Sequence, residues 1–408
     1  MKQTRDFPAA RVSKKAELSV KAGHPWIYDN EIIETPAECE NGCLIDALSE
    51  KGAYLGTGFL SKNSKIRIRL LSSNANESFG PAFFRRRVKY ALDYRRTVMG
   101  DDFACCRLIF GEADGLPGLT VDRYGSLLVS QVLSYGMELS RDTLYRAVAD
   151  ELAEGGVKVD GLYERDDVAI RGLEGLDERK GWYDCDYLGR PVSPVTEITE
   201  NGVVYSVDVE NGQKTGFFLD QKYNRLAVAK LAKGMRVLDC FTHTGSFALN
   251  AAKGGATHVT AVDVSASAVE MARANAVRNG LDGNMDFVCE DVFELLPRLC
   301  ERREPYDLVI LDPPAFTKSR KTVSGAERGY KEINFRAMKL LPRGGYLATC
   351  SCSHFMEDQM FRKMLASAAA DAGVGLRIVE TRRQSPDHPV LMSVPETDYL
   401  KFYLLQIV

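Results

Sequence analysis

Short apolar runs recur through the C-terminal half of the chain, near residues 235–240, 258–263, 285–288, 306–311 and 344–350, with helical patterns between them. Runs this short and this apolar suit strands buried on both faces, and their alternation with helices predicts a parallel sheet. A last run, Tyr399 to Val408, reads as a final strand inserted antiparallel. The expected strand order is 3-2-1-4-5-7-6, a seven-stranded Rossmann-like α/β domain over residues 191–408. The N-terminal stretch is patterned differently. Apolar and polar positions alternate in Glu17-Leu18-Ser19-Val20 and Cys43-Leu44-Ile45-Asp46-Ala47, and turn glycines recur at Gly42, Gly52, Gly56 and Gly58. These predict a small β-rich module over residues 1–73. Residues 79–99 have helical periodicity. Strand patterns at 104–110 and 118–133 then flank the turn Asp114-Gly115-Leu116-Pro117-Gly118, followed by a helix at 138–154 and strands near 157–163. Arg165, Asp166, Asp167 and Arg171 read as a polar loop. Residues 74–190 are therefore expected to form a central α+β domain of strand-strand-helix-strand-strand type.

The first apolar run of the α/β domain leads into Asp239-Cys240-Phe241-Thr242-His243-Thr244-Gly245, and the second ends at Asp263. This is a βαβ nucleotide-binding pattern with an acid placed for ribose hydroxyls. A dinucleotide fingerprint would bring three glycines to the loop so that backbone can approach a pyrophosphate. Here Gly245 stands alone beside an acid, Asp239. S-adenosylmethionine (SAM) carries no phosphate but does carry an amino group and a sulfonium, which an acid suits better than a phosphate cradle. Asp239, Phe241, Thr242, Gly245 and Asp263 are the candidate cofactor residues of this unit. Asp291, after the third strand, is placed for the adenine amino group or as a helix N-cap. The segment Asn211 to Gln221, with Phe218, suits a lid over the ligand. Asp312-Pro313-Pro314-Ala315-Phe316 ends the fourth strand in a stiff turn lacking backbone donors, with carbonyls available to a ligand.

Net charge, −3, says little by itself, but its distribution is uneven. Residues 1–100 hold 17 Lys and Arg against 11 Asp and Glu; the remainder holds 36 against 45. A basic start on an acidic body suggests a polyanion-binding module attached to an enzyme core. Strict alternation places Lys65, Arg67 and Arg69 on one strand face, suited to RNA backbone contact or to the wet side of an edge strand. Gly23-His24-Pro25-Trp26-Ile27-Tyr28 offers aromatics for base stacking or core packing. Phe316 is a further candidate to stack on a base. The ten cysteines are scattered and form no CxxC pair, so neither disulfides nor a zinc site is expected. With no long apolar run and a polar start, Met1-Lys2-Gln3-Thr4-Arg5-Asp6, the expectation is a soluble, cytoplasmic protein without a membrane span.

Thr349-Cys350-Ser351-Cys352-Ser353-His354 ends the fifth strand, next to the fourth in the expected order. That brings Asp312 and Cys352 to one mouth. Cytosine C5 is too weak a nucleophile to take a methyl group from SAM directly, but a thiolate added at C6 makes C5 enamine-like. Cys352, at the strand tip, is the candidate nucleophile; Cys350 should lie inside the strand. Asp312 is a candidate for removing the C5 proton.

Taken in order, Gly23-His24-Pro25-Trp26, Asp114-Gly115-Leu116-Pro117-Gly118, Gly216-Phe217-Phe218-Leu219-Asp220, Asp239-Cys240-Phe241, Asp312-Pro313-Pro314, Ser351-Cys352-Ser353 and Asp387-His388-Pro389 resemble the bacterial large-subunit ribosomal RNA cytosine-C5 methyltransferase family (RlmI-like) over nearly the whole chain. The resemblance implies an N-terminal PUA domain, a central α+β domain and a class I methyltransferase domain. It also implies 5-methylcytidine formation in 23S ribosomal RNA, free or in a large-subunit precursor, with Cys352 at the nucleophile position. Other RNA cytosine-C5 methyltransferases carry a second cysteine directly after the fourth-strand motif, where this chain has Ala315. The competing readings are methylation of another RNA atom, such as a guanine nitrogen, and a non-catalytic RNA-binding assembly factor. A homodimer is an option, since a strand-rich central domain can pair across a two-fold axis.

Overall fold

The computed structural model describes residues 6–317 and 322–408; of the polar start, Met1 to Arg5 lie outside them. The chain divides into two compact units. One takes Met1–Ile198, Val207–Leu219 and Pro386–Thr397, the other Thr199–Ser206, Asp220–Ser385 and Asp398–Val408. Among the described residues no helix is long and apolar enough to cross a membrane.

The first unit begins with β1 (Ala9–Val12), α1 (Lys14–Lys21), β2 (Trp26–Tyr28), β3 (Ile32–Glu34), β4 (Leu44–Ser49), β5 (Tyr54–Leu60) and β6 (Ile66–Ser72). The six strands form one sheet in the order β2-β6-β5-β4-β1-β3. Val12, Ile27, Ile45, Leu60 and Ile68 meet in its core. The alternation at Glu17-Leu18-Ser19-Val20, expected to be strand, is helix. Ser13 caps α1 by accepting from Ala16 N, and Lys14 and Lys21 both pair with Glu17 at helical spacing.

The unit continues with α2 (Pro81–Met99), β7 (Cys105–Phe110), β8 (Leu119–Tyr124), β9 (Leu127–Val132), α3 (Tyr135–Leu139), α4 (Arg141–Glu154), β10 (Gly161–Asp166) and β11 (Arg179–Trp182). These strands make a second sheet, β11-β10-β9-β8-β7. It has one strand more than the expected pattern before the helix. The apolar stretch 118–133 is folded into two antiparallel strands by a tight turn in which Gly125 takes φ +65°. The charged residues expected in a polar loop are largely buried. Asp166 is fully buried, accepting from Val132 N at 2.7 Å and from Arg179 at 2.8 Å, and Arg171 stands 3.2 Å from it.

A hairpin of β12 (Val195–Glu200) and β13 (Val203–Asp208) precedes the α/β unit. That unit consists of α5 (Lys222–Leu231), β14 (Arg236–Cys240), α6 (Ser246–Lys253), β15 (His258–Asp263), α7 (Ala266–Asn279), β16 (Met285–Cys289), α8 (Val292–Arg302), β17 (Leu308–Leu311), α9 (Val323–Leu340), β18 (Tyr346–Ser351), α10 (Asp358–Ala372), β19 (Leu376–Arg382) and β20 (Lys401–Ile407). Its seven strands run β16-β15-β14-β17-β18-β20-β19, which is the expected order, with β20 antiparallel to both neighbours. Leu308 to Leu311 are all fully buried, as a strand covered on both faces must be. Helices α8, α9 and α10 cover one face through Leu296, Tyr330, Ile333, Phe361 and Met364.

Candidate active site

Strands β14, β15, β17 and β18 are mutually parallel, so their C-terminal ends share one edge of the sheet, where open α/β sheets take ligands. The loop after β14 is the most constrained segment there. Phe241 and His243 take positive φ, +65° and +51°, a conformation that costs a non-glycine residue and that clusters at ligand sites. Gly245 follows at φ +81°, and a Cβ on it would come within 3.0 Å of the Ala272 Cβ on α7. The glycine is therefore required by both turn and helix packing.

Asp239 is fully buried beneath this loop. Its Oδ2 accepts from Thr242 Oγ1 at 2.6 Å and from Ala248 N at 2.9 Å. Among the described residues its Oδ1 is buried with no partner, and so is Thr244 Oγ1. Burial pushes the Asp239 carboxyl up to about 7. Buried polar atoms are normally paired, and the donor set that fits an unpaired carboxylate oxygen at this strand end is an ammonium group such as that of SAM. Asp263, at the end of β15, accepts from His243 N and Ser265 N, both at 2.9 Å, so it holds both rims of the same edge. Asp291 is exposed and caps α8 by accepting from Phe293 N at 2.8 Å. Phe218 belongs to the first unit, where Lys214 Nζ lies 4.4 Å from its ring centroid.

At the tips of β17 and β18 the arrangement is tighter than the pattern alone showed. Gln221 Nε2 donates to Asp312 Oδ1 at 2.9 Å. Tyr330 of α9 makes two 3.1 Å hydrogen bonds, to Ser351 Oγ and Ser353 Oγ. Both serines thus face α9, and Cys352, between them and one residue past β18, is half-buried. Cys350 is fully buried, and burial drives its thiol well above the ordinary cysteine range. Lys401 lies opposite Ser351 in β20; its ammonium donates to the carbonyls of Ser353 at 2.7 Å and Tyr399 at 2.8 Å. Burial lowers its pKa to about 8, and the adjacent Cys352 sulfur opposes that shift. Tyr330 and Lys401 were not singled out in the sequence as site residues, and Gln221 only as the end of the lid segment. The one available signal was a lysine opening an otherwise apolar strand.

The basic face expected for RNA is not solvent-facing throughout. β6 is internal to its sheet, between β2 and β5. Arg69 is buried, paired with Glu174 at 2.7 Å and beside Glu112 at 3.8 Å, with its guanidinium over the Trp26 ring. Arg67 is held by Asp29 and by the carbonyls of Ser61 and Lys62. Lys65 alone of the three is exposed. The mate of a charged strand residue is invisible to alternation, which is why these arginines read as free. Phe316 packs against Tyr330 (4.7 Å between centroids) and Phe293 (5.9 Å) instead of standing clear in the mouth.

A Rossmann-like sheet of this order, with an acid-lined loop and no phosphate cradle, defines a SAM-dependent methyltransferase, here joined to a PUA-like domain. The family model for S-adenosylmethionine-dependent methyltransferases matches residues 177–403 and that for a PUA-like domain residues 10–73. The chain belongs to the ribosomal RNA large subunit methyltransferase I family. It is 43% identical to the member from Aeromonas hydrophila over 390 residues, 95% of this chain and 96% of the relative. It is 39% identical to that of Klebsiella pneumoniae over 403 residues, 98% of each. A SAM-dependent methyltransferase from Streptococcus mutans has the same fold, with TM-score 0.81 and 23% identity over 98% of this chain and 99% of that one.

Proposed function

We propose that this protein methylates C5 of a cytidine in the 23S RNA of the large ribosomal subunit, in the cytoplasm, through a covalent adduct on Cys352. The observation that carries the reading is the Ser351-Cys352-Ser353 tip. Two serines are tied to one tyrosine, and the half-buried cysteine between them lies just past β18, at the strand end next to Asp312. The relatives are ribosomal RNA large subunit methyltransferases, which supports the substrate class.

In this reading bound SAM supplies an electrophilic methyl group on a sulfonium. The residues present fit it: Asp239 for the ammonium, Asp263 for ribose hydroxyls, Asp291 near the adenine, and the loop Phe241-Thr242 with Gly245 as the wall. Phe218 is assigned to cofactor binding by its motif alone. Cys352 adds as thiolate to C6 of cytosine, forming the S–C6 bond and moving the C5=C6 electron pair onto C5. C5 would then take the methyl group, whose bond to the sulfonium sulfur breaks to leave the neutral thioether S-adenosylhomocysteine. A base removes the remaining C5 proton, C5=C6 re-forms, and the thiolate leaves. Asp312, at the neighbouring strand end, is assigned as that base. Lys401, joined to the carbonyl after Cys352, is a positioning residue whose positive charge favours the thiolate. Lys65 and Arg67 are assigned to RNA backbone contact; Arg69 and Phe316 support the neighbouring surfaces from within.

The test is nucleoside mass spectrometry of 23S RNA from cells lacking this gene, incubated with purified protein and SAM. Formation of 5-methylcytidine by wild type and not by Cys352→Ala is expected. Methylation of a different base, with full activity in Cys352→Ala, would overturn the cysteine mechanism.

A further inference from the structure

Three sequence motifs that the methyl-transfer chemistry leaves unused meet in the first unit. Gly23-His24-Pro25-Trp26, Asp114-Gly115-Leu116-Pro117-Gly118 and Asp387-His388-Pro389 all contribute to the wall of one cavity of about 520 Å³. That volume lies within the ~300–1,000 Å³ of small-ligand sites. Helix α2 forms another wall. Arg87, Tyr90 and Tyr94 fall at i, i+3 and i+7, one face of that helix. The two tyrosines are 60% and 39% exposed, large for aromatic rings with no core to fill.

The charge of this cavity is settled by pairing. Glu112 accepts from Trp26 Nε1 at 2.9 Å and lies beside Arg69. Asp114 is paired with the fully buried Arg95 and accepts from Phe110 N at 2.6 Å. Asp114 is thus neutralised from behind, while Glu112 shares Arg69 with Glu174 and is turned toward the Trp26 N–H. Arg87 donates to the carbonyl of Leu71 at 2.9 Å and faces the Phe83 ring, and among the described residues it has no carboxylate partner. What the cavity offers is a positive charge, two tyrosine rings and the apolar edges of Pro25, Pro117 and Leu391. A flat π-system carrying an anion fits that set; a duplex, whose bases are stacked on each other, does not.

The geometry points to a docking site for one unpaired RNA nucleotide at this cavity, its base against Tyr90 and Tyr94 and its phosphate at Arg87. The inference rests on the RNA-substrate reading above and deepens it: the enzyme would grip a single-stranded segment through the first unit while the α/β unit acts on its target base.

The experiment uses the full-length chain and the double variant Tyr90→Ala/Tyr94→Ala, both positions being exposed. Fluorescence anisotropy with a labelled single-stranded oligouridylate is expected to show about tenfold weaker binding by the variant, the size of a lost stacking contact. Affinity for SAM should be unchanged, and Tyr94→Phe, which keeps the ring but loses the hydroxyl bond to the Pro386 carbonyl (3.1 Å), should retain RNA affinity whatever its melting temperature. The same oligonucleotide carrying 4-thiouridine should crosslink to the α2 peptide of wild type. Unchanged RNA affinity in the variant would overturn the proposal and leave the cavity to a protein partner. Equal competition by a duplex of the same length would also overturn it. Because neither readout needs methyl transfer, failure of the proposed reaction would be seen separately, in the mass spectrometry.

Discussion

Asp239 shows what one residue contributes beyond its position in a motif. Its place after an apolar run and before a lone glycine was legible in the sequence. Its burial, its single orphaned oxygen and the two bonds on the other oxygen were not, because they depend on how α6 returns over the strand. With the carboxyl raised to about 7, the sign of its pH dependence follows. The folded apo-protein keeps it protonated up to about that pH, whereas a cationic ligand needs the carboxylate. SAM affinity should therefore rise as pH increases from about 6 to 7.5, below the titration of an α-amino group near ~8. Asp239→Asn should bind SAM at least about tenfold more weakly and with a flat profile. Isothermal titration across that pH range checks both. A steep profile surviving in Asp239→Asn would remove Asp239 from the explanation. Arg69 and Asp166 make the opposite case. Both were read as solvated because they are charged, and both are buried in ion pairs: Arg69 with Glu174, far along the chain, and Asp166 with Arg171 and Arg179, which the turn after β10 brings back over it.

At the scale of elements, strand order was readable because buried parallel strands leave continuous apolar runs, while the short α1 was misread because two turns of helix and a half-buried strand share a pattern over four residues. The pairing of β20 with β18 was readable only as an inserted last strand; that it carries Lys401 to the thiol-bearing tip needs the register, Ser351 opposite Lys401. The groups around that ammonium are Cys352, Asp358 and Arg383, and Asp358 is itself bonded by Tyr403. Lys401→Met should slow iodoacetamide alkylation of Cys352 at neutral pH, because the cation that favours the thiolate is gone. It should lower kcat while leaving KM for SAM in place, with Lys401→Arg recovering part of the loss. Stability gives an independent sign. The folded pKa is depressed from 10.5 to about 8, so the unfolded state binds more protons between those values, and wild-type stability should gain with rising pH across that window. Denaturant titrations at the two ends should show Lys401→Met lacking that gain. A second element-level prediction concerns the tip of the β12–β13 hairpin. Arg225 of α5 and Glu200 form a fully buried pair at 2.6 Å, and Arg225→Ala, which strands the carboxylate, should cost about 3–5 kcal/mol in a denaturant titration.

For the whole molecule, the path of the chain matters more than the count of domains. Composition separated a basic start from an acidic body, and apolar periodicity separated an N-terminal β-rich stretch from an α/β one. Neither could show that Pro386–Thr397 leaves the α/β unit to pack with the first, before Asp398–Val408 returns to supply β20. The signal for that excursion is three-dimensional: Arg95 donates to the Asp387 carbonyl at 2.9 Å, and Asp387 Oδ2 accepts from Arg107 N at 2.8 Å. A fragment covering 191–408 would thus keep every strand of the seven-stranded sheet, yet expose Asp387, almost fully buried in the full chain, and remove the donors from Arg95 to its carbonyl and from the Arg107 amide to its carboxylate. Losing those two buried hydrogen bonds and the packing around them costs about 1–3 kcal/mol, and the tether they anchor leads directly into β20, the strand between β18 and β19. We expect the fragment to unfold at lower denaturant than the corresponding transition of the full chain, and Asp387→Asn in the full chain to reproduce part of that loss. Hydrogen exchange would locate it. Protection should fall first in 386–397 and β20, and much later in β14 and β15; uniform protection across the sheet would show instead that the α/β unit holds its last strand without the excursion.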